Sequence, residues 1–209
     1  QLGRFGWKAR QPSVAAQSRR AFAADLGVGS AAHPHAGCAL PQSCADASGE
    51  LTADVERAVV FYAAHLAVPE RRWHDSEEVL AGKRLFHEIG CAQCHRPSWR
   101  TAAAKDASVS EQLIWPYSDL LLHDMGEGLA DGIPEAQASG REWRSAPLWG
   151  LHLAKVVSGS EAGFLHDGRA RSLKEAIVWH GGEAQAVSLA WQQLPRAQRE
   201  QLIWFLKSL

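Results

Sequence analysis

Val79-Leu80-Ala81-Gly82-Lys83-Arg84-Leu85-Phe86-His87-Glu88-Ile89-Gly90-Cys91-Ala92-Gln93-Cys94-His95 is the stretch on which the reading of this chain turns. Its first part predicts a helix. Val79, Gly82, Phe86 and Ile89 share one face, behind a capping box formed by Asp75 and Glu78. Gly82 on that face leaves room for another backbone to approach. Its second part, Cys91 to His95, is C-x-x-C-H, the pattern of c-type haem attachment. Two thiols at this spacing reach the two vinyl groups of one haem. The next residue, His95, then sits beneath the iron as an axial nitrogen ligand. One covalent haem c is the expected cofactor. Three alternatives stand beside it: a thioredoxin-like redox pair, which would want a preceding strand and a βαβ context; a zinc site built from Cys38, Cys44, Cys91 and Cys94; and a chance match.

The rest of the composition sets bounds. The chain has 209 residues, enough for one well-buried domain or two small ones. A formal net charge of −1 gives no global field for nucleic acid or an anionic membrane, so neither is an expected partner. No run approaches the roughly 18 apolar residues of a membrane span. There is no initiator Met, and residues 1–10 carry no signal-peptide pattern, so the chain reads as a mature or trimmed product. Nine Trp against two Tyr and one Met would suit a core lined around a large planar cofactor, or simply apolar packing. If haem takes Cys91 and Cys94, the chain matures in an oxidising compartment, periplasmic or otherwise outside the cytoplasmic membrane. Cys38 and Cys44, in a stretch with Pro34, Gly37, Pro41 and Gly49, are then expected to form a local disulfide, with two free thiols as the alternative.

Along the chain, helices are expected from Gln11 to about Leu26 and behind Thr52, where Leu51, Val55, Val59, Tyr62 and Leu66 recur at helical spacing. Residues 96–170 read mostly as Gly- and Pro-rich loop, a length a bound haem would excuse because the chain can wrap the cofactor. Ser172 with Glu175 caps a further helix stopped by Gly181-Gly182, and a terminal helix runs from about Pro195. No strands are evident. The expected fold is all-α and loop-rich, with a lead-in over residues 1–70 and a haem domain over residues 71–209.

Gly82 to Phe86 through His95, with a terminal Leu-x-x-Phe-Leu helix, resembles a class I cytochrome c domain. Tyr117-Ser118-Asp119-Leu120-Leu121-Leu122-His123-Asp124-Met125-Gly126 adds a more specific resemblance, together with Arg141-Glu142-Trp143-Arg144, Pro147-Leu148-Trp149-Gly150, Phe164 to Leu173 and His180 to Ala184. These segments resemble the di-haem oxidoreductase family, also labelled thiol oxidoreductases and related to bacterial di-haem cytochrome c peroxidases. Phe5-Gly6-Trp7-Lys8-Ala9 and the Cys38/Cys44 loop share the resemblance. Members carry two haems, the first in an N-terminal domain with its own C-x-x-C-H, whereas this sequence has one such motif. The resemblance therefore implies the C-terminal haem half, a cytochrome c-like domain whose partner is an N-terminal haem domain or a second haem-bearing chain.

The sixth iron position has two candidates. Leu173, Ile177 and His180 lie on one face of a capped helix, which turns His180 to the buried side. A core histidine is the plain reading of that pattern. The resemblance tips it, because His180 matches the distal-ligand position of the related peroxidases. Met125, the only Met, is the alternative, and an open or water-bound iron the third. His123, His166, Asp124, Asp167, Arg144 and Arg169 are read as groups that orient loops or meet the haem propionates, or else as ordinary salt bridges and turn caps. No catalytic residue is assigned. The resemblance implies the electron-transfer half of a peroxidase-like oxidoreductase that also meets a redox partner protein. The other reading is a standalone electron carrier without catalysis of its own.

Overall fold

The computed structural model describes residues 2–33, 49–159 and 163–209. The Cys38–Cys44 disulfide expectation falls outside the described residues. The chain divides into two compact units, Gln1–Ala67 and Val68–Leu209.

The first unit holds α1 (Val14–Asp25) and α2 (Ala53–Ala64). α1 begins behind Ser13, whose Oγ accepts from the Ala16 amide at 3.1 Å, so Pro12 lies just outside the helix. Thr52 caps α2 through the Val55 amide, and Arg19 Nε meets Glu56 Oε1 at 2.7 Å to tie the two helices. The apolar stripe of α2 is not a buried face. Leu51 is buried, but Tyr62 is 68% and Leu66 58% exposed. Among the described residues of this unit, α1 and α2 supply no second layer to cover that side.

The second unit is built on α3 (Glu77–Glu88) and α7 (Arg196–Ser208). The cap of α3 is Ser76 and not Asp75; its Oγ accepts from the Val79 amide at 3.3 Å. Glu77 and Glu78 then occupy the first turn, where carboxylates complement the helix dipole. Val79, Phe86, Leu202, Phe205, Leu206 and Leu209 form the core between the two helices. They cross at Gly82. A Cβ there would stand 2.0 Å from the Gln201 carbonyl oxygen and 2.8 Å from Phe205 Cβ, so only glycine admits the contact. The end of α7 is tied down by the Ser208 carbonyl, which accepts from the Arg72 amide at 3.0 Å.

Between these helices the fold is mostly helical but not all-α. β1 (Trp99–Arg100) pairs antiparallel with β2 (Leu113–Ile114), and β3 (Leu122–Asp124) with β4 (Glu142–Arg144), which sets His123 opposite Trp143. Strands of two or three residues are too short to show apolar alternation, which is why the sequence gives no sign of them. α4 (Ala154–Ser158), α5 (Leu173–Trp179) and α6 (Gln185–Gln193) complete the unit. α5 begins at Ser172 as expected, its Oγ accepting from the Glu175 amide at 3.1 Å. Among the described residues no helix is long and apolar enough to cross a membrane.

Gly82→Ala forces the two helices apart, and should destabilise the protein by roughly 1–3 kcal/mol. Gly49→Ala, where an added Cβ meets nothing within 4 Å, should leave it unchanged. Chemical denaturation of both variants checks the crossing; equal midpoints would refute it.

Candidate functional site

A cavity of about 400 Å³ opens within the second unit, in the size range of small-molecule and cofactor sites. Its walls are chiefly apolar, including Phe86, Leu148, Phe164, Ile177 and Leu206. Set among them are Cys91, Cys94, His95, His123, Met125 and His180, brought together from segments far apart in sequence. Of the nine Trp, the cavity wall includes Trp143 alone among the described residues; Trp7, Trp73, Trp115, Trp179 and Trp204 are exposed. Trp abundance is therefore a matter of surface and general packing, not of cofactor lining.

α3 delivers the motif. Gly90, at φ 99°, turns the chain from the helix into a 3₁₀ turn over Cys91–Gln93, and the His95 amide donates to the Cys91 carbonyl at 2.9 Å. Residues 94–97 then run beside 117–119. The amides of Asp119 and Ser118 donate to the carbonyls of Cys94 (2.8 Å) and Arg96 (3.0 Å). His95 Nδ1 donates to the Tyr117 carbonyl at 3.0 Å. A carbonyl can only accept, so the proton is on Nδ1 and Nε2 keeps its lone pair. Tyr117 itself is fully buried against Phe86 and Phe205 and sits at φ 52°, an uncommon conformation for a bulky residue that costs on the order of 1–3 kcal/mol. Its packing holds the strained carbonyl where His95 needs it.

α5 delivers the opposing imidazole. His180 is the C-cap residue, and its Nδ1 donates to the Ala176 carbonyl at 2.7 Å, which again leaves Nε2 with its lone pair. The two ring centroids lie 6.3 Å apart. Metal–imidazole bonds of about 2 Å, added to the ring radii, place two imidazoles on opposite sides of one ion with centroids about 6 Å apart. Burial, reinforced by His180, lowers the His95 pKa to about 4, and burial lowers that of His180 too, so both are the neutral imidazoles that a metal requires. Met125 lines the same cavity. The strip Gly181-Gly182 lies directly on Asp124-Met125-Gly126: a Cβ on Gly182 would stand 2.1 Å from the Asp124 carbonyl oxygen. These glycines fix His180 against the turn after β3.

The thiols are not poised as reactive thiolates, and the four-cysteine zinc alternative rests on Cys38 and Cys44, which lie outside the described residues. Burial pushes Cys91 up to about 12 and also raises Cys94, the reverse of a reactive thiolate. The motif follows a helix, not a strand. Cys94, Asp119 and His123 do lie within 4.8 Å of one another. Yet His123 Nε2 faces Asp119 Oδ2 at 3.0 Å and Nδ1 faces Glu183 Oε2 at 2.9 Å, so both ring nitrogens are engaged by carboxylates. Burial works to lower the His123 pKa, but these two hydrogen bonds outweigh it and raise the pKa overall. His123 thereby bridges two carboxylates.

The remaining expected groups divide. Arg144, His166 and Asp167 reach the cavity wall. His166 Nε2 donates to the Arg144 carbonyl at 2.7 Å, and its ring stacks on Trp143. Asp124 and Arg169 do not line it: Asp124 pairs with Arg141 at 3.1 Å, and Arg169 forks onto Asp167 and the Gly128 carbonyl while covering the Trp179 ring. Tyr117, Ser118, Asp119, Ser145 and Glu183 received no role from the sequence. Their importance lies in backbone conformation and long-range pairing, for which residue type gives no signal.

The family model described as Di-haem oxidoreductase, putative peroxidase, matches residues 1–209. No curated protein matches the chain.

Gly182→Ala should separate the Gly181-Gly182 strip from the turn after β3 and free the Asp124 amide, which donates to Glu183 Oε1 at 3.0 Å. Hydrogen exchange over residues 121–126 should accelerate about tenfold or more, with α2 unaffected. Unchanged protection would show that this contact does not hold the two segments together.

Proposed function

The chain belongs to the di-haem oxidoreductase family, and from that premise we propose that its cavity holds one c-type haem serving electron transfer. The observation that carries this is the opposed pair His95 and His180, 6.3 Å apart, each with Nδ1 tied to a backbone carbonyl. Cys91 and Cys94 would form the thioethers, His95 the proximal bond and His180 the distal bond. The haem supplies a one-electron ferric–ferrous couple. This chain's residues do the rest. The apolar wall excludes water, the two carbonyls orient the imidazoles, and Arg144 at the wall suits a propionate. The crossing of α3 and α7 at Gly82, with the motif at the end of α3, supports a cytochrome c-like reading of the second unit.

With His95 and His180 both holding the iron, no site would be left for peroxide, so this unit would conduct electrons and leave substrate turnover elsewhere. Substrate chemistry then belongs to a second haem, in an N-terminal haem domain or on another chain, with a redox partner protein exchanging electrons. Covalent haem attachment would call for an oxidising compartment such as the periplasm.

Intact mass under denaturing conditions should show one haem on the polypeptide, retained after acid–acetone extraction; haem stripped by that treatment would refute covalent attachment. In a second test, His180→Ala should convert a low-spin ferric spectrum to high-spin and admit cyanide quickly, while Met125→Ala stays low-spin. The opposite pattern would give the sixth position to Met125.

A further inference from the structure

The turn that presents a carbonyl to His95 is held by a hydrogen-bonded cluster of which only Ser145 lines the cavity. Tyr117 and Leu120 both adopt left-handed backbone, at φ 52° and 61°, and the two residues between them are Ser118 and Asp119. Ser118 is fully buried. Its Oγ donates to Ser145, with the carbonyl oxygen and Oγ each at 2.8 Å, and accepts from the Leu120 amide at 2.9 Å. Ser145 Oγ donates to Asp119 Oδ1 at 2.5 Å, and that oxygen also accepts from the Leu121 amide at 2.9 Å. Every hydroxyl proton and every turn amide in this cluster has a partner. The backbone of the same two residues is bonded to the Cys94 and Arg96 carbonyls on either side of His95. Trp99 Nε1 closes the set by donating to the Ser118 carbonyl at 2.8 Å.

We propose that the Ser118–Asp119–Ser145 clasp is a positioning device that holds the Tyr117 carbonyl against His95 Nδ1 and so sets how strongly His95 donates to its iron. The inference rests on the haem reading above. A firm hydrogen bond from Nδ1 makes an imidazole a stronger donor, and a stronger donor favours the ferric state. Released from the clasp, a left-handed Tyr117 relaxes toward ordinary backbone and its carbonyl swings away from His95. The iron then loses donor strength without losing its ligand.

Ser118 is the residue to change, because it does not line the cavity and can reach the iron only through this turn. Spectroelectrochemical titration of the purified haem protein reads the effect. Ser118→Ala should shift the potential upward while the haem stays covalent and six-coordinate, and Ser118→Thr, which keeps the hydroxyl, should return it toward the wild-type value. Asp119→Asn, weaker as an acceptor for Ser145, should shift the potential in the same direction, and stands in if Ser118→Ala does not fold. An unchanged potential in a variant with intact haem overturns the clasp alone. A wild-type chain without covalent haem overturns the haem reading and the clasp together.

Discussion

Gly82 lets the backbones of α3 and α7 touch, and most of the second unit depends on that contact. A crossing this close fixes the axis of α3, and α3 ends just before the Cys91–His95 segment. The same crossing places Phe86 and Phe205 around the ring of Tyr117, whose carbonyl accepts the hydrogen bond from His95 Nδ1. A missing methyl group on one helix thus helps determine where the His95 imidazole stands. Leu202 and Leu206, on the buried side of α7, line the cavity behind it.

The His180 side follows a different rule. α5 is only seven residues long, and its last turn is occupied by a side chain bonding backward: His180 Nδ1 takes the Ala176 carbonyl that the short helix leaves without an amide partner. One hydrogen bond therefore caps the helix and orients the ring. Glycines at 126, 181 and 182 let two loops lie backbone on backbone, so His180 is located by main chain and not by flexible side chains. Asp119, His123 and Glu183 extend this economy by linking the His95 turn to the segment after His180 through two ion pairs, half-buried at Asp119 and exposed at Glu183. Their charge stays at the rim while the imidazoles of His95 and His180 remain neutral.

Much of this is legible in the sequence, for identifiable reasons. Thr52 and Ser172 cap helices through local bonds that depend on a few adjacent residues, and Gly82 marks a close approach by its position on an apolar face. The cap of α3 moved from Asp75 to Ser76 because either side chain can serve and packing chose between them. α6 escaped notice because Ala184 offers no side-chain cap and the helix ends without a glycine signal. The left-handed Tyr117 and Leu120 were beyond reach, since strain is imposed by burial of the whole turn and not by residue type. Asp119 and Ser145, 26 residues apart, are likewise joined only by the fold.

The central claim is that two imidazoles, His95 and His180, hold the iron. Near-infrared magnetic circular dichroism of the unmodified ferric protein addresses it most directly, because the charge-transfer band reports the pair of axial ligands. A low-spin band at the energy of bis-histidine ligation is the predicted result. A band at the energy of histidine–methionine ligation, or a high-spin five-coordinate signature, would contradict it.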